Sequence, residues 1–334
     1  VIIATAPGRC GLVGNPTDMY GGSVVSCSTR ECARCNLDSG ADRITITVSG
    51  QSQTIDSLDG LTLHAGDYLN VARAVLIALE VDPARTPPFH LTADTEVPMQ
   101  AGLAGSTAIL ATITGCVLAH LELRLNSYEI AELVRKIEYD VLGIVCGFQD
   151  HYMTVFGGLN YMDFRDKNSV QTQDATTPFA TVEPLQGYLA DGLPLVLAHT
   201  GVKHHSGSVH TSPRERWLAG ETVVVEGYLE VARLARRAKR ALLACEWDEL
   251  ADLMNRNHAI VRDLGGSGES NETLIAAALE GGALGAKLAG AGGGGTILAM
   301  TRDPERTTAA LLAAGADKIL RPQPSPGLTV EISV

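Results

Sequence analysis

Short runs of β-branched residues, some alternating with polar ones, recur in the first part of the chain. They lie at Ile2 to Thr5, Ser23 to Cys27, Ile44 to Val48 and Phe89 to Thr92, and they predict four strands. Elsewhere the spacing lengthens to a helical period. Asp67 to Leu79 predicts an amphipathic helix, and Ser106 to Leu121, apolar nearly all round, predicts a helix buried on every side. In Asn126 to Leu142 the apolar stripe is Ile130, Leu133, Val134 and Ile137, and Asn126 precedes Glu129 at capping-box distance, which marks the helix start.

The polar stretch from Arg165 to Pro178 reads as a linker, after which the pattern changes. One strand, Leu193 to Ala198, is followed by helices at about Arg214 to Ala244, Trp247 to Leu264 and Asn271 to Glu280. Strands near Leu284 to Ala289 and Thr296 to Met300, a helix at Pro304 to Ala314 and a last strand at Thr329 to Val334 complete the chain. The order is α+β rather than a strict βαβ alternation, and it divides into an N-terminal domain at 1–178 and a C-terminal domain at 179–334. No internal repeat interrupts it.

Composition sharpens this picture. A chain of 334 residues is about twice a typical domain, and with 45% apolar but only 4% aromatic residues its core must be aliphatic. A net charge of −12 repels polyphosphate backbones and anionic lipid, so neither nucleic acid nor a membrane is an expected partner. The uncharged run Val97 to Leu121 carries Gln100, Ser106, Thr107, Thr112, Thr114 and His120 and is too polar to span a bilayer. Seven cysteines, an odd number, read as reduced thiols, and no export leader is visible at Val1, so a cytoplasmic setting is expected. Cys32 and Cys35 form a C-x-x-C pair with Cys27 nearby, but no second ligand pair matches it. They read as ordinary thiols on a turn.

Among the 35 glycines three clusters stand out. The first, Ala6 to Gly22, sets Arg9, Asn15, Thr17 and Asp18 among glycines that let backbone approach a ligand, and Arg9 can fork two hydrogen bonds to an anion. A turn-rich connection with a solvated arginine explains it equally well. The second, Pro98 to Ala108, feeds the buried helix. Its free amides and the helix dipole suit an anion, and Ser106 adds a hydroxyl able to ligate Mg²⁺ or simply to cap the helix. The third, Gly290 to Gly295, matches G-x-G-x-x-G formally, but a strand follows it where a dinucleotide site needs a helix. No lysine follows a glycine, so a P-loop is absent.

Two carboxylates stand in expensive places. Glu138 falls on or beside an apolar stripe, either meeting a cation or hydrogen bonds there or reaching solvent from the stripe's edge, and Asp150 sits among apolar and aromatic neighbours in Cys146 to Tyr152, suited to a positioned base or to a helix cap. His199, His204, His205 and His210 crowd a loop after a strand, with no cysteine or carboxylate of ligand spacing. They read as a polar loop on the substrate side, with Lys203, Arg214 and Arg216 able to meet an anionic substrate or to lie solvated.

Taken in order, the three clusters resemble the motifs of the GHMP kinase family. Gly14-Asn15-Pro16-Thr17-Asp18, Phe148-Gln149-Asp150, the segment Val155 to Phe164 and Val209 to Leu218 are most similar to its glucuronokinase members. The resemblance implies a two-domain α+β fold with its site in the interdomain cleft, ATP and Mg²⁺ as cofactors, and a sugar or sugar acid as partner, with no oligomeric state fixed. It implies that Asp150 is the base and Arg9 its assistant, and that Pro98, Gly102, Leu103, Ala104, Gly105, Ser106 and Thr107 hold the nucleotide. It assigns Ser106 and Glu138 to the metal and Asn15, Asp18, Gly22, Gly292 and Gly293 to the acceptor. Gly105 stands where many members have serine, and Asn15-Pro16 replaces the Glu-His pair of galactokinases, which argues against galactose. The expected activity is phosphorylation of a sugar hydroxyl, at the anomeric position of a uronic acid. Another sugar 1-kinase, a mevalonate-type kinase and a non-catalytic ligand sensor are the other readings.

Overall fold

A computed structural model describes residues 1–168, 176–189, 192–202, 212–290 and 295–333. In chain order the strands and helices are β1 (Ile2–Val13), β2 (Ser23–Asp38), β3 (Ile44–Val48), β4 (Gln51–Ile55), α1 (Asn70–Ala78), β5 (His90–Thr95), α2 (Gly105–His120), α3 (Ser127–Lys136), α4 (Gln149–Phe156), β6 (Leu159–Asp163) and β7 (Thr181–Pro184). There follow β8 (Leu195–His199), α5 (Pro213–Leu218), α6 (Thr222–Leu243), α7 (Trp247–Asp263), α8 (Glu269–Glu280), β9 (Gly285–Leu288), β10 (Thr296–Met300), α9 (Pro304–Ala313), β11 (Lys318–Leu320) and β12 (Thr329–Ile332).

The strands form two sheets. Eight make the larger one, ordered β12-β1-β2-β5-β3-β4 with β6 and β7 extending from the far half of β2, and four make the smaller, β11-β8-β10-β9. Both β7 and β12 lie beyond residue 178 yet pair in the larger sheet, so the division expected at the polar linker does not follow sheet membership.

In the smaller sheet the continuous apolar runs have a direct cause. On β8, Leu195 and Leu197 face α6 and α7 while Val196 and Ala198 face α8 and α9; on β10, Leu298 and Met300 oppose Ile297 and Ala299 in the same way. A strand covered on both faces has no polar side to alternate with. The core under Leu195 and Leu197 also takes in Cys10, Leu12 and Val13 of β1 and Ala101 and Leu103 of the glycine loop, so one hydrophobic cluster spans the seam between the sheets. Helix α2 is buried along most of its length against β1, β2 and β5, as its uniform apolarity predicts.

Three expectations need correction. The first glycine cluster is not a loop until after Val13: β1 runs through Pro7, Gly8 and Gly11, with pairing irregularities between Pro7 and Arg9 and between Gly11 and Val13. Such bulges admit proline and glycine into a strand and re-aim the side chains between them. The helix expected from Arg214 to Ala244 is two, α5 and α6, broken where Gly220 takes a positive φ of 73°. Cys32 and Cys35 lie within strand β2, not on a turn, and all seven cysteines are free. The capping box at Asn126 and Glu129 is present as expected.

Candidate active site

Arg9 sits between the two irregularities of β1 and is almost fully buried. Its Nε and Nη2 donate to the same oxygen of Asp150, Oδ1, at 2.8 and 2.6 Å, and its Nη1 donates to Gly102 O at 2.5 Å. Asp150 occupies the first turn of α4. The cap of that helix is supplied from far along the chain: Asp18 Oδ2 accepts from the amides of Phe148 and Gln149 at 2.8 and 2.9 Å. Asp150 is therefore released from capping, and its side chain, 32% exposed, keeps Oδ2 without a hydrogen bond among the described residues. Asp18, expected to bind sugar hydroxyls, commits one oxygen to the helix. Burial raises its carboxyl pKa, opposed by the Gln149 amide and reinforced by the charge of Asp150.

The second glycine cluster packs against β1 at Gly8, where a Cβ would lie 2.7 Å from Leu103 O and 2.8 Å from a Val97 methyl. Gln100, Gly102 and Ala104 all take positive φ, and α2 begins at Gly105 with Ala108 N–H to Ala104 O as its first helical hydrogen bond. The amides of the preceding turn are left for an anion at the helix's positive end. Leu103 buries its side chain in the core, so only its backbone faces the loop, where Leu103 O accepts the Arg9 amide at 3.0 Å. Ser106 is not the cap: that position belongs to Ala104, and Ser106 is exposed one turn-position inside the helix.

Glu138 lies in a π-type turn continuing α3 and is buried. Its Oε2 takes hydrogen bonds from Thr107 Oγ1 at 3.1 Å and His151 Nε2 at 2.7 Å, which leaves Oε1 without one among the described residues. Burial lowers the pKa of His151, but the nearby Cys146 and Glu138 more than offset it and push it up to about 10. Glu138, Cys146 and His151 bring ligand atoms within 4.8 Å of one another, and His151 was not singled out in the sequence. For Mg²⁺, a hard cation that prefers oxygen, the fitting donor in this group is the free Glu138 oxygen rather than the sulfur and nitrogen beside it, and Ser106 is the neighbour in sequence of Thr107, which bonds the same carboxylate.

Lys287, on an otherwise apolar strand, is fully buried and joins the first and third clusters. Its Nζ donates to Gly11 O at 3.0 Å, to Asn15 Oδ1 at 2.8 Å and to Leu288 O, while Asn15 Nδ2 donates to Gly290 O at 2.6 Å. Asn257 holds the same turn, accepting from the Gly14 amide at 2.8 Å. Sequence reading passed over Lys287 and Asn257. A lone lysine in the apolar run Leu284 to Ala289 was the available signal for the first. Burial drives the Lys287 ammonium down to about 7, and Arg9 adds to the shift against an opposing effect of Cys10. Between pH 7 and roughly 10 the unfolded chain keeps this proton and the native one does not, so native stability rises with pH there by about 1 kcal/mol per unit. Below pH 7 both states carry the proton and the cost of the buried charge is constant. Urea midpoints compared between wild type and Lys287→Met across pH 7 to 9.5 are expected to differ by this slope; parallel curves would refute it.

Other residues are placed elsewhere. Arg216 is spent on Glu221 Oε2 and Oε1 at 2.8 and 2.6 Å and on Leu264 O at 2.9 Å, and so does not reach toward a substrate. His199 Nδ1 lies 2.6 Å from Gly295 O. Gly22 is buried beneath Thr17, its amide donating to Thr17 O at 2.8 Å. Pro98 opens the second loop half-buried. Gly292, Gly293, Lys203, His204, His205 and His210 lie outside the described residues.

The first two clusters and the start of the third, at Ala289 and Gly290, thus meet around Arg9, in two packed α/β halves with an amide-lined helix end beside a carboxylate. This is the architecture of a two-domain small-molecule kinase. Family models for the GHMP kinases N terminal domain and the GHMP kinases C terminal region match residues 68–158 and 238–317. A probable glucuronokinase 2 of Arabidopsis thaliana is 30% identical over 305 residues, covering 85% of this chain and 81% of its own. A mevalonate kinase of Pyrococcus horikoshii is 30% identical over 340 residues, covering 96% and 95%. The crystal structure of a D-glycero-D-manno-heptose 1-phosphate kinase from Bacteriodes thetaiotaomicron superposes with a TM-score of 0.75 at 21% identity and full coverage of both chains. The chain belongs to the GHMP kinase family and is an ATP-dependent phosphotransferase. No helix among the described residues is long and apolar enough to cross a membrane.

Proposed function

We propose that the protein transfers the γ-phosphoryl group of ATP to a sugar hydroxyl, with the anomeric hydroxyl of a uronic acid as acceptor. The observation that carries the transfer is the Arg9–Asp150 pair set against the amides of the Gly102 to Thr107 loop. Likeness to glucuronokinase supports the acceptor. Asp150 Oδ2 accepts the hydroxyl proton, the oxygen bonds to the γ-phosphorus as its bond to the ADP oxygen breaks, and the Arg9 guanidinium faces the charge that moves between them. The loop amides orient the phosphates, and in phosphoryl transfer positioning and charge stabilisation supply most of the rate. Mg²⁺, when bound with ATP, would be held by Ser106 and Glu138 and neutralises phosphate charge. Asn15 and Asp18 border the acceptor side. The seven free cysteines fit a cytoplasmic setting.

ADP release assayed with uronic acids, neutral hexoses, pentoses and mevalonate tests the reading, with phosphorus NMR of the product to locate the ester. A uronic acid is expected to give the highest kcat/KM and an anomeric phosphate. Preference for mevalonate, to whose kinase the chain is equally similar in identity, would overturn it.

A further inference from the structure

A cavity of about 210 Å³ opens beside the turn that ends the first glycine cluster, with Thr17, Gly21 and Gly22 in its lining. One wall is aromatic: Tyr20 lies 4.7 Å from Trp217 and 4.8 Å from Tyr228, ring centroid to centroid. The sequence motifs assigned no role to Tyr20 or to these partners. The charged residues in the lining are both cationic, Arg233 and Arg236 of α6. In a chain of net charge −12, a cavity whose lining charges are positive is a local reversal of the overall field, which an anion approaching it would need.

The two arginines are not equivalent. Arg233 has Glu230 at 3.4 Å, whereas Arg236 makes no ion pair among the described residues. Its charge acts on Asp163, whose carboxylate is already bound by Arg165 through backbone and side chain. Among the described residues its guanidinium is therefore left unpaired, a planar fork whose geometry matches a carboxylate or phosphate with two parallel hydrogen bonds. Gly22 in the lining is one of the residues that the family resemblance assigns to the acceptor, and Asp18, next to Thr17 of the lining, caps the helix that carries Asp150.

We propose that this cavity binds the anionic end of the acceptor, with the sugar ring against the aromatic wall and its carboxylate on Arg236. Arg236 then selects acidic over neutral sugars. The inference rests on the uronic acid reading above and adds the residue that enforces it.

Initial rates with D-glucuronate and D-glucose, which differ at the carboxylate, test it in wild type and in Arg236→Met and Arg236→Gln. Arg236 is exposed on its helix, and unchanged melting temperatures check that both variants fold. The expected result is a KM for glucuronate raised at least tenfold in both, with KM for ATP and kcat within about twofold and the rate on glucose unaltered. If wild type turns over glucuronate and both variants match it, the cavity assignment is overturned while the acceptor reading stands. If wild type ignores every uronic acid but uses a sugar phosphate, and the variants raise its KM tenfold, the reading of the acceptor fails while the anion site on Arg236 is upheld.

Discussion

Asp150→Asn is expected to lower kcat by roughly 10³-fold while changing the Kd for ATP less than threefold. Asparagine keeps the shape, and its carbonyl oxygen can still accept both hydrogen bonds that Arg9 sends to Oδ1, so neither α4 nor β1 need move. What disappears is the second carboxylate oxygen, which has no partner among the described residues and belongs to a side chain open to the cleft. An amide nitrogen in that place cannot take a proton. In the proposed mechanism the nucleotide is held by other groups, the loop amides, so its affinity is expected to survive. Single-turnover kinetics together with calorimetric titration of ATP separate the two quantities. A kcat within tenfold of wild type would mean that another group removes the proton, and a parallel loss of ATP affinity would mean that Asp150 acts by holding the loop through Arg9 and Gly102.

Helices α2 and α3 and the buried strands β8 and β10 of the smaller sheet were legible because their cause is local. The apolar stripe on α3, the uniform apolarity of α2, and the runs of β8 and β10 each follow from which faces are covered. Strand β1 was legible only at its start, since Pro7, Gly8 and Gly11 carry the signature of a turn, and it takes a partner strand with bulges to keep them in a sheet. The role of Asp150 was ambiguous for a related reason. Whether it caps α4 or faces the cleft depends on Asp18, more than a hundred residues earlier, taking the capping position. Lys287 and Asn15 are 272 positions apart, and no window of sequence connects them. Motif resemblance gathered residues that periodicity could not, but it was silent on how they lean on each other.

The third glycine cluster makes this dependence testable, because Gly290→Ala is expected to cost about 10²-fold in kcat/KM for ATP although its Cβ would not touch the base. A Cβ on Gly290 would stand 2.7 Å from Gly102 O, 3.1 Å from Gly102 Cα and 3.3 Å from its carbonyl carbon. All three are backbone, so no flexible side chain can swing away and the phosphate loop itself must shift. Gly102 O is also the acceptor of Arg9 Nη1, so the shift propagates to the guanidinium that orients Asp150. Misplacement of reacting groups by as little as about 1 Å costs rate on this scale. Gly268→Ala is the control: nothing lies within 4 Å of its Cβ position and its φ of −123° suits alanine. Steady-state kinetics with varied ATP, alongside melting temperatures of both variants, decide the matter. Gly290→Ala with near-native kinetics would mean that the glycines of this cluster serve only chain folding, and that the loop does not lean on them.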